Sequence, residues 1–411
     1  MAYENRGTDY LRRKLDTKRL RVLKRYKYYE MKNSVRDFGI STPPDLRAWN
    51  STIGWCAKAV DSLADRLTFR EFRNDNFNLN EIYRMNNPDI LFDSAVLSAL
   101  IAACCFIYIS PDESGFPRLQ VIDGANATGV MDPITGLLYE GYAVLRRDDY
   151  DRPVDEAWFT AEKTVYYNKR QKIRTDRHKA GYPLLVPIVY RPDAVRPFGH
   201  SRISRACMSL TGSAMRTIKR SEISAEYYSF PQKWVTGLSQ DAKMLETWKA
   251  SMSSFISMTV DENGDSPKFG QFSQQSMDPH ISQLRMFASQ FAGETGLTID
   301  DLGFPTDNPS SSEAIKASHE NLRLLARKAQ RNFGSGFLNA GYLAACLRDD
   351  YTYQRRQFYL TTPVWGPVFE PDASCLSQIG DGIMKLNQAV PGYITADTLY
   401  DLTGLAPGGP A

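Results

Sequence analysis

Histidine and cysteine are scarce in this chain, and neither is arranged for chemistry. The four histidines, His178, His200, His280 and His319, lie far apart. Of the six cysteines, Cys56, Cys104, Cys105, Cys207, Cys346 and Cys375, only Cys104 and Cys105 are neighbours, and a vicinal pair is unsuited to an ordinary structural bridge. With no C-x-x-C and no histidine cluster, a zinc site is not expected, and the chain reads as reduced and intracellular. Charge of one sign is missing too: 50 Lys and Arg stand against 47 Asp and Glu, a formal net charge of +3. A bulk electrostatic grip on nucleic acid is therefore not implied, and contact with DNA has to be local or shape-based.

No cleavable leader is legible, because no apolar run and cleavage box follow the charged N-terminus. The most apolar window, 90–109, contains Asp93 and turns toward strand formers before Ser110-Pro111. It reads as a buried helix running into a strand, and no membrane partner is expected. The standard catalytic signatures are absent: no G-x-S-x-G, no G-x-x-x-x-G-K-[ST], no G-x-G-x-x-G before a helix and no H-E-x-x-H. Lack of a phosphate-binding loop excludes the commonest route to ATP-driven DNA movement within this chain. Carboxylates do cluster at Asp148-Asp149-Asp151, Asp300-Asp301 and Asp349-Asp350. Each cluster ends an element beside turn residues, where capping and solubility account for it, whereas a two-metal site needs carboxylates converging from several elements. Cys104 and Cys105 read as small buried hydrophobes, and His319 as a packed polar residue. No catalytic residue, cofactor or metal is expected.

What is present is a globular composition, 42% apolar and 24% charged over 411 residues, enough for two or three domains. Residues 1–32 hold eleven Lys or Arg against four Asp or Glu. There Leu11, Leu15, Leu20, Leu23 and Tyr26 mark a rough apolar stripe on a basic helix, whose cations form either a solvated face or a surface that meets a polyanion or acidic partner. A second helix carries Trp49, Ile53, Cys56, Val60, Leu63 and Leu67, and a third spans 88–103, opened by Asn87 and Pro88. From 104 to 190 short runs rich in β-branched and aromatic residues, punctuated by Gly, Pro and Asp, indicate an antiparallel β region. Asp132-Pro133-Ile134-Thr135-Gly136 reads as a hairpin turn and 169–179 as an exposed polar loop.

Pro183, Pro187, Pro192 and Pro197 then mark an extended connector. A helix over 201–228 follows, with Ile203, Cys207, Leu210, Ala214 and Ile218 on one stripe; at 1.5 Å per residue it is about 42 Å long. Small residues fill its middle, and so thin an apolar face calls for packing against copies of itself or other long helices. The segment 231–277 is mixed, with strands at 232–237 and 256–260 and a helix over 241–255. Asp278 and Pro279 open another helix bearing Ile281, Leu284, Phe287 and Phe291, which ends near Thr295-Gly296. After the loop at 300–311, Ser310 and Glu313 form a capping box for a long helix with Ile315, His319, Leu322, Leu325 and Ala329, interrupted at Gly334, Gly336 and Gly341. Strand-like sequence at 353–360 and helices at 373–388 and 395–403 complete the chain.

Two stretches, VPIVYRPDAVRPFGHSRISRACMSLTGSAMRT at 186–217 and QLRMFASQFAGETGLTIDDLGF at 283–304, are followed by Asn308-Pro309-Ser310-Ser311-Ser312-Glu313-Ala314-Ile315. In order and spacing the chain resembles the portal proteins of tailed bacteriophages, in the SPP1-like branch, over roughly 9–403. The resemblance implies an α+β portal fold with a wing, a two-helix stem, a small α/β clip, a channel loop and a long bent helix. It assigns 1–200 to the N-terminal wing, 201–228 to the first stem helix, 229–277 to the clip and 278–299 to the second stem helix. It assigns 300–312 to the channel loop, 313–347 to the long bent helix, and 348–411 to the C-terminal wing with a short or absent crown.

The family implies a non-enzymatic ring of about twelve copies closed by one repeated interface. Such a ring sits at the portal vertex of the capsid in the virion, after assembly in the host cytoplasm. Its implied partners are the terminase large subunit, a head–tail adaptor protein, the major capsid and scaffold proteins, and double-stranded DNA without sequence specificity. The resemblance places Gly303, Phe304, Pro305, Thr306, Asp307, Asn308 and Pro309 at the DNA channel. Lys316, Arg323 and Arg327 then either pair with a neighbour's carboxylates or face phosphate. Lys233 and Lys268 become candidate terminase or adaptor contacts. Arg12, Arg13, Lys14, Lys18, Arg19 and Arg21 become candidate contacts to capsid, scaffold or DNA. The rival readings are a nucleic-acid-processing enzyme built on the aspartate clusters and a different ring-forming protein such as a head–tail adaptor.

Overall fold

Alternation of β-branched and aromatic residues with turn formers builds two antiparallel sheets in the middle of the chain. The computed structural model describes residues 4–36, 48–229, 233–236, 268–271, 276–305, 317–369 and 373–403. Helix α1 (Thr8–Tyr29) comes first, then α2 (Trp55–Ala64), strand β1 (Phe69–Arg73), α3 (Leu79–Arg84) and α4 (Pro88–Ala102). Pro88 sits in the first turn of α4, where its missing N–H costs nothing.

The strands are β2 (Cys104–Pro111), β3 (Pro117–Ile122), β4 (Ala127–Met131), β5 (Leu138–Arg147), β6 (Pro153–Phe159), β7 (Lys163–Asn168), β8 (Gln171–Arg177) and β9 (Leu185–Val189). They form a three-stranded sheet in the order β3-β2-β9 and a five-stranded meander from β4 to β8. The meander's first turn is the expected one: Asp132 accepts from Ile134 N–H at 2.9 Å and Thr135 Oγ1 at 2.8 Å, and Gly136 takes φ 73°.

Helix α5 (Arg205–Ser229), strands β10 (Lys233–Thr236) and β11 (Lys268–Gln271), and helix α6 (Asp278–Thr295) follow. Helix α7 (Glu320–Arg348), strand β12 (Thr362–Trp365), α8 (Ala373–Ala389) and α9 (Ala396–Thr403) complete the order. The core lies where α4 and α7 pack on the three-stranded sheet. Phe92 packs against Phe69 (4.1 Å between ring centroids, tilted) and Phe337 (4.7 Å, edge-on), and Trp365 closes the group at 5.3 Å from Phe69.

Several expectations are corrected by contacts distant in sequence. The segment after α2, for which sequence reading predicts no strand, forms β1 and pairs with β12, Phe69 opposite Trp365 and Arg73 opposite Thr362. Helix α2 starts at Trp55, leaving Trp49 41% exposed outside it, and Leu67 is buried just beyond its end. Val22, not Leu20, completes the buried stripe of α1 with Leu11 and Leu15, and Leu20 is 75% exposed. The polar stretch expected as a loop at 169–179 contains β8, an edge strand paired with β7 whose charged side chains face solvent.

Residues expected as strand at 353–360 form a 3₁₀ turn, Arg355–Phe358, closed by the reciprocal side-chain bonds of Gln354 and Gln357. Helix α7 runs through its glycines without interruption. A Cβ on Gly334 would lie 2.6 Å from Pro363, and one on Gly336 2.8 Å from Ile188, so these glycines permit close approach. The strand and helix expected within 241–260 and the Ser310–Glu313 box lie outside the described residues. Among the described residues no helix is long and apolar enough to cross a membrane.

Candidate functional site

The small residues of α5 are used to bring a second helix close. Ser204 Oγ donates to Glu294 Oε1 at 2.9 Å, Thr217 Oγ1 to Gln283 Oε1 at 2.9 Å, and Ser224 Oγ lies 3.4 Å from His280 Nε2. As numbers rise on α5 they fall on α6, so the two are antiparallel. Of the expected stripe, Ile203, Cys207 and Ala214 are buried, joined by Thr211, Met215 and Thr217, whereas Leu210 and Ile218 are half-buried.

One end of this rod is anchored in the body. Cys56 Sγ of α2 lies 3.3 Å from Thr211 Oγ1, Ser51 Oγ donates to Met215 O at 2.6 Å, and Trp55 meets Phe291 at 5.5 Å. Toward the other end α6 presents Ile281 and Met286, 56% and 47% exposed. Strands β10 and β11 follow α5 and precede α6 in the chain. They pair antiparallel, Lys233 opposite Gln271 and Thr236 opposite Lys268, and Lys268 is exposed.

Beyond α6 the chain turns at Gly296, φ 70°, and forms a short 3₁₀ turn, Asp300–Leu302, that ends on Gly303 at φ 89°. Asp301 accepts from Thr298 N–H at 3.0 Å and Thr298 Oγ1 at 2.9 Å, while Leu302 is buried and Phe304 packs against the core. Asp301 Oδ2 also stands 3.8 Å from His319 Nδ1, one residue before α7. The two ends of the intervening segment therefore meet at a common base. Gly303, Phe304 and Pro305 belong to that base, whereas Thr306, Asp307, Asn308, Pro309 and Lys316 lie outside the described residues. Within the chain Arg323 Nε and Nη2 bond Glu320 of the same helix, each at 2.7 Å. Arg327 is exposed.

The N-terminal cations are mostly folded inward. Arg6 and Gly7 N–H donate to the fully buried Glu140 at 3.0 and 3.2 Å, setting a carboxylate at the positive end of α1. Arg12 Nε and Nη2 grip the buried Glu156, each at 3.0 Å, and Tyr142 Oη donates to the same carboxylate. Burial alone would lower the Arg12 pKa, but its bonds to Glu156 and Tyr142 outweigh that and raise it. Lys14 Nζ donates to Gly129 O at 2.7 Å, and Arg19 pairs with Asp151 at 2.5 Å. Lys18 Nζ lies over the rings of Phe106 and Phe198 at 5.1 and 5.8 Å.

Of the six candidate contact residues, only Arg13 and Arg21 are exposed. Sequence reading missed Glu140, Glu156 and Arg25. The first two break the alternation of inward apolar residues in β5 and β6, and Arg25 continues the helical spacing of Lys14, Lys18 and Arg21.

The aspartate clusters serve turns and ion pairs. Asp148 accepts from Tyr150 and Arg152 N–H at 3.0 and 2.8 Å, Asp349 pairs with Arg348 at 2.8 Å, and Asp350 with Lys179 at 2.5 Å. Among the described residues no group of three or more His, Cys, Asp or Glu is gathered to hold a metal ion. Cys104 and Cys105 are buried where α4 passes into β2.

The antiparallel α5–α6 pair joined to a sheet-rich body matches a known fold. A chain in the neck of an empty gene transfer agent particle, computed with C6 symmetry, aligns with 92% of this chain and 98% of its own. Its TM-score is 0.50 at 14% identity, a likeness of fold. A chain of the native gene transfer agent virion gives 0.48 at 13% identity, over 95% of this chain and 99% of its own. In sequence, the portal proteins of Mycobacterium phage D29 and Mycobacterium phage L5 are 24% and 23% identical over 341 and 340 residues, 77% of this chain and 69% of each relative. The family model described as "Phage portal protein, SPP1 Gp6-like" matches residues 8–359. This chain belongs to the phage portal protein family.

Proposed function

We propose that the chain is a portal of the SPP1-like branch and forms a ring of about twelve copies at one vertex of a bacteriophage capsid. The ring is a conduit for genome packaging by a terminase motor, a platform for head–tail adaptors and the exit channel at ejection. The observation that carries this reading is the α5–α6 rod, anchored at one end through Trp55 and Phe291 and exposing Ile281 and Met286 toward the other, in a chain of this family. A ring of such rods gives each exposed face a neighbour and surrounds a passage without needing a nucleotide site.

The closed base at Asp301 and His319 supports the reading of 300–312 as the channel loop. One Asp307 per copy would keep the duplex centred by repelling phosphate. The β10–β11 segment supplies the clip that docks terminase and adaptor, with Lys233 and Lys268 at its contacts.

Electron micrographs of the purified chain should show rings in axial view. Only monomers by native mass spectrometry, together with no ring inside virions, would overturn the proposal. Asp307→Lys should slow packaging and make it more salt-sensitive while rings still assemble. Charge reversal at Lys233 and Lys268 should weaken terminase binding and leave rings intact.

A further inference from the structure

We infer that the cleft between α1 and the loop at 195–199 is a docking site for an acidic segment of another polypeptide chain, held by Lys14, Lys18, Arg21, Arg25 and Arg196. The cleft has a volume of about 740 Å³. Six Lys or Arg side chains line it, and no Asp or Glu does. Lys14, Lys18, Arg21 and Arg25 recur at steps of four, three and four residues, so they form a single row about 16 Å long on α1.

Cations so placed repel one another, and most of the row is withdrawn from water. Burial depresses the pKa of Lys14, Lys18 and Arg25, and for each a neighbouring cation adds to the effect. The structure holds these groups without neutralising them. Lys14 and Arg25 donate to the main-chain carbonyls of Gly129 (2.7 Å) and Ala102 (2.9 Å). Lys18 has only the two phenylalanine rings among the described residues. Asp123, the carboxylate that acts on Lys18 through space, is held by Ala125 N–H and Asn126 Nδ2, each at 2.6 Å. Across the cleft, Asp193 accepts from Arg196 N–H at 2.6 Å, from Val195 N–H at 2.9 Å and meets His200 Nε2 at 2.6 Å. That fixes the turn from which Arg196 projects.

The chemistry selects the occupant. A duplex, whose major groove alone is about 12 Å wide, is too broad to enter the cleft and reach the half-buried Lys14, Lys18 and Arg25. A single strand needs aromatic faces for its bases, and both aromatic residues of the lining are already covered, Phe198 by Lys14 at 5.3 Å and Lys18 at 5.8 Å and Tyr10 by Arg6 at 4.9 Å. Inorganic phosphate is too small to span the row. An extended peptide places same-side carboxylates about 7 Å apart, close to the spacing of the cations. Val22, Ala102, Val195 and Pro197 in the lining accept aliphatic side chains between those carboxylates.

The test uses the full chain, in whatever oligomeric state it adopts, and fluorescence anisotropy with a labelled peptide of alternating Glu and Val. The wild type should bind it at least tenfold more tightly than the Gln–Val counterpart. Lys18→Met should lose at least tenfold in affinity while melting no lower than wild type, because it removes an uncompensated charge. Arg21→Glu with Arg196→Glu, at the rim, should lose as much and decides the matter should Lys18→Met fail to fold. No binding of the Glu–Val peptide, or equal binding by wild type and variants, would overturn the proposal. Displacement by millimolar phosphate would reduce the cleft to a simple anion site. Tighter binding of labelled single- or double-stranded DNA, lost in the same variants, would reassign it to nucleic acid. Ring formation, scored separately by electron microscopy, is no part of this test.

Discussion

Helices α6 and α7 occupy opposite surroundings. From Phe333 to Cys346 nearly every residue of α7 is buried, and its glycines let Pro363 and Ile188 approach the helix backbone. In α6 only Ala288, Phe291, Ala292 and Thr295 are buried, and Gly293 faces open space. In α7 small residues are the condition for dense internal packing. In α6 the small Ala288 and Ala292 face the chain's own packing, and the surface that the chain does not cover carries the large side chains of Ile281 and Met286. Uncovered apolar surface, not small size, distinguishes α6.

Substitution separates the two cases most sharply at the centre of α7. Phe337→Ala should cost about 3–5 kcal/mol, because the ring is fully buried and packs against Phe92 at 4.7 Å. Urea denaturation checks this, and a loss below about 1 kcal/mol would show that α7 is not the centre of the core. Glu156→Gln should cost about 2 kcal/mol, less than a wholly buried pair because Arg12 keeps 18% exposure. Adding Arg12→Met should restore part of that stability, and no recovery in the double variant would argue against the pair.

Asp132→Ala should cost about 1 kcal/mol, and the loss should depend on pH. Burial would raise the Asp132 pKa, but hydrogen bonds from Ile134 N–H and Thr135 prevail and lower it. A lowered folded pKa contributes stability that is complete above the ordinary carboxylate value of about 3.9 and is lost as pH falls through the folded value. Stability curves of wild type and variant should thus converge in acid, and a gap that widens there would refute the assignment. The smallest effect on stability should come from Ile281→Ser with Met286→Ser on α6, within about 0.5 kcal/mol. The same double variant should abolish rings in electron micrographs, which Phe337→Ala in its folded fraction should not.

Local pattern was enough for the elements whose cause is local. Asn87-Pro88 opens α4, Asp132 and Gly136 make the hairpin, and the 3.6-residue repeat places α5 and α6. Elements whose cause is a distant partner were not legible. Strand β1 exists because Thr362–Trp365 lies beside it, nearly 300 residues away, and β8 exists because β7 offers it a ladder. The N-terminal charge count was correct and its meaning incomplete, since Glu156 of β6 and Asp151 of the turn before it pair with Arg12 and Arg19, and Glu140 of β5 meets the start of α1. The residues themselves pointed to the pairing of α5 with α6 only as a need for neighbours, and the family resemblance supplied the two-helix stem. The base of the loop at Asp301 and His319 could not be foreseen, because two positions on either side of a long segment carry no shared pattern.

The five-stranded sheet has one further consequence, which concerns how copies can join. Its β8 edge carries Lys172, Arg174 and Arg177, and its β4 edge is covered where Lys14 of α1 takes the Gly129 carbonyl. Strand addition, which would propagate from one molecule to the next without limit, is blocked at both edges. In the ring proposed above, copies join at surfaces other than these two edges. In that proposed ring a repeated contact of fixed angle would set the number of copies, and growth would stop when the last copy meets the first.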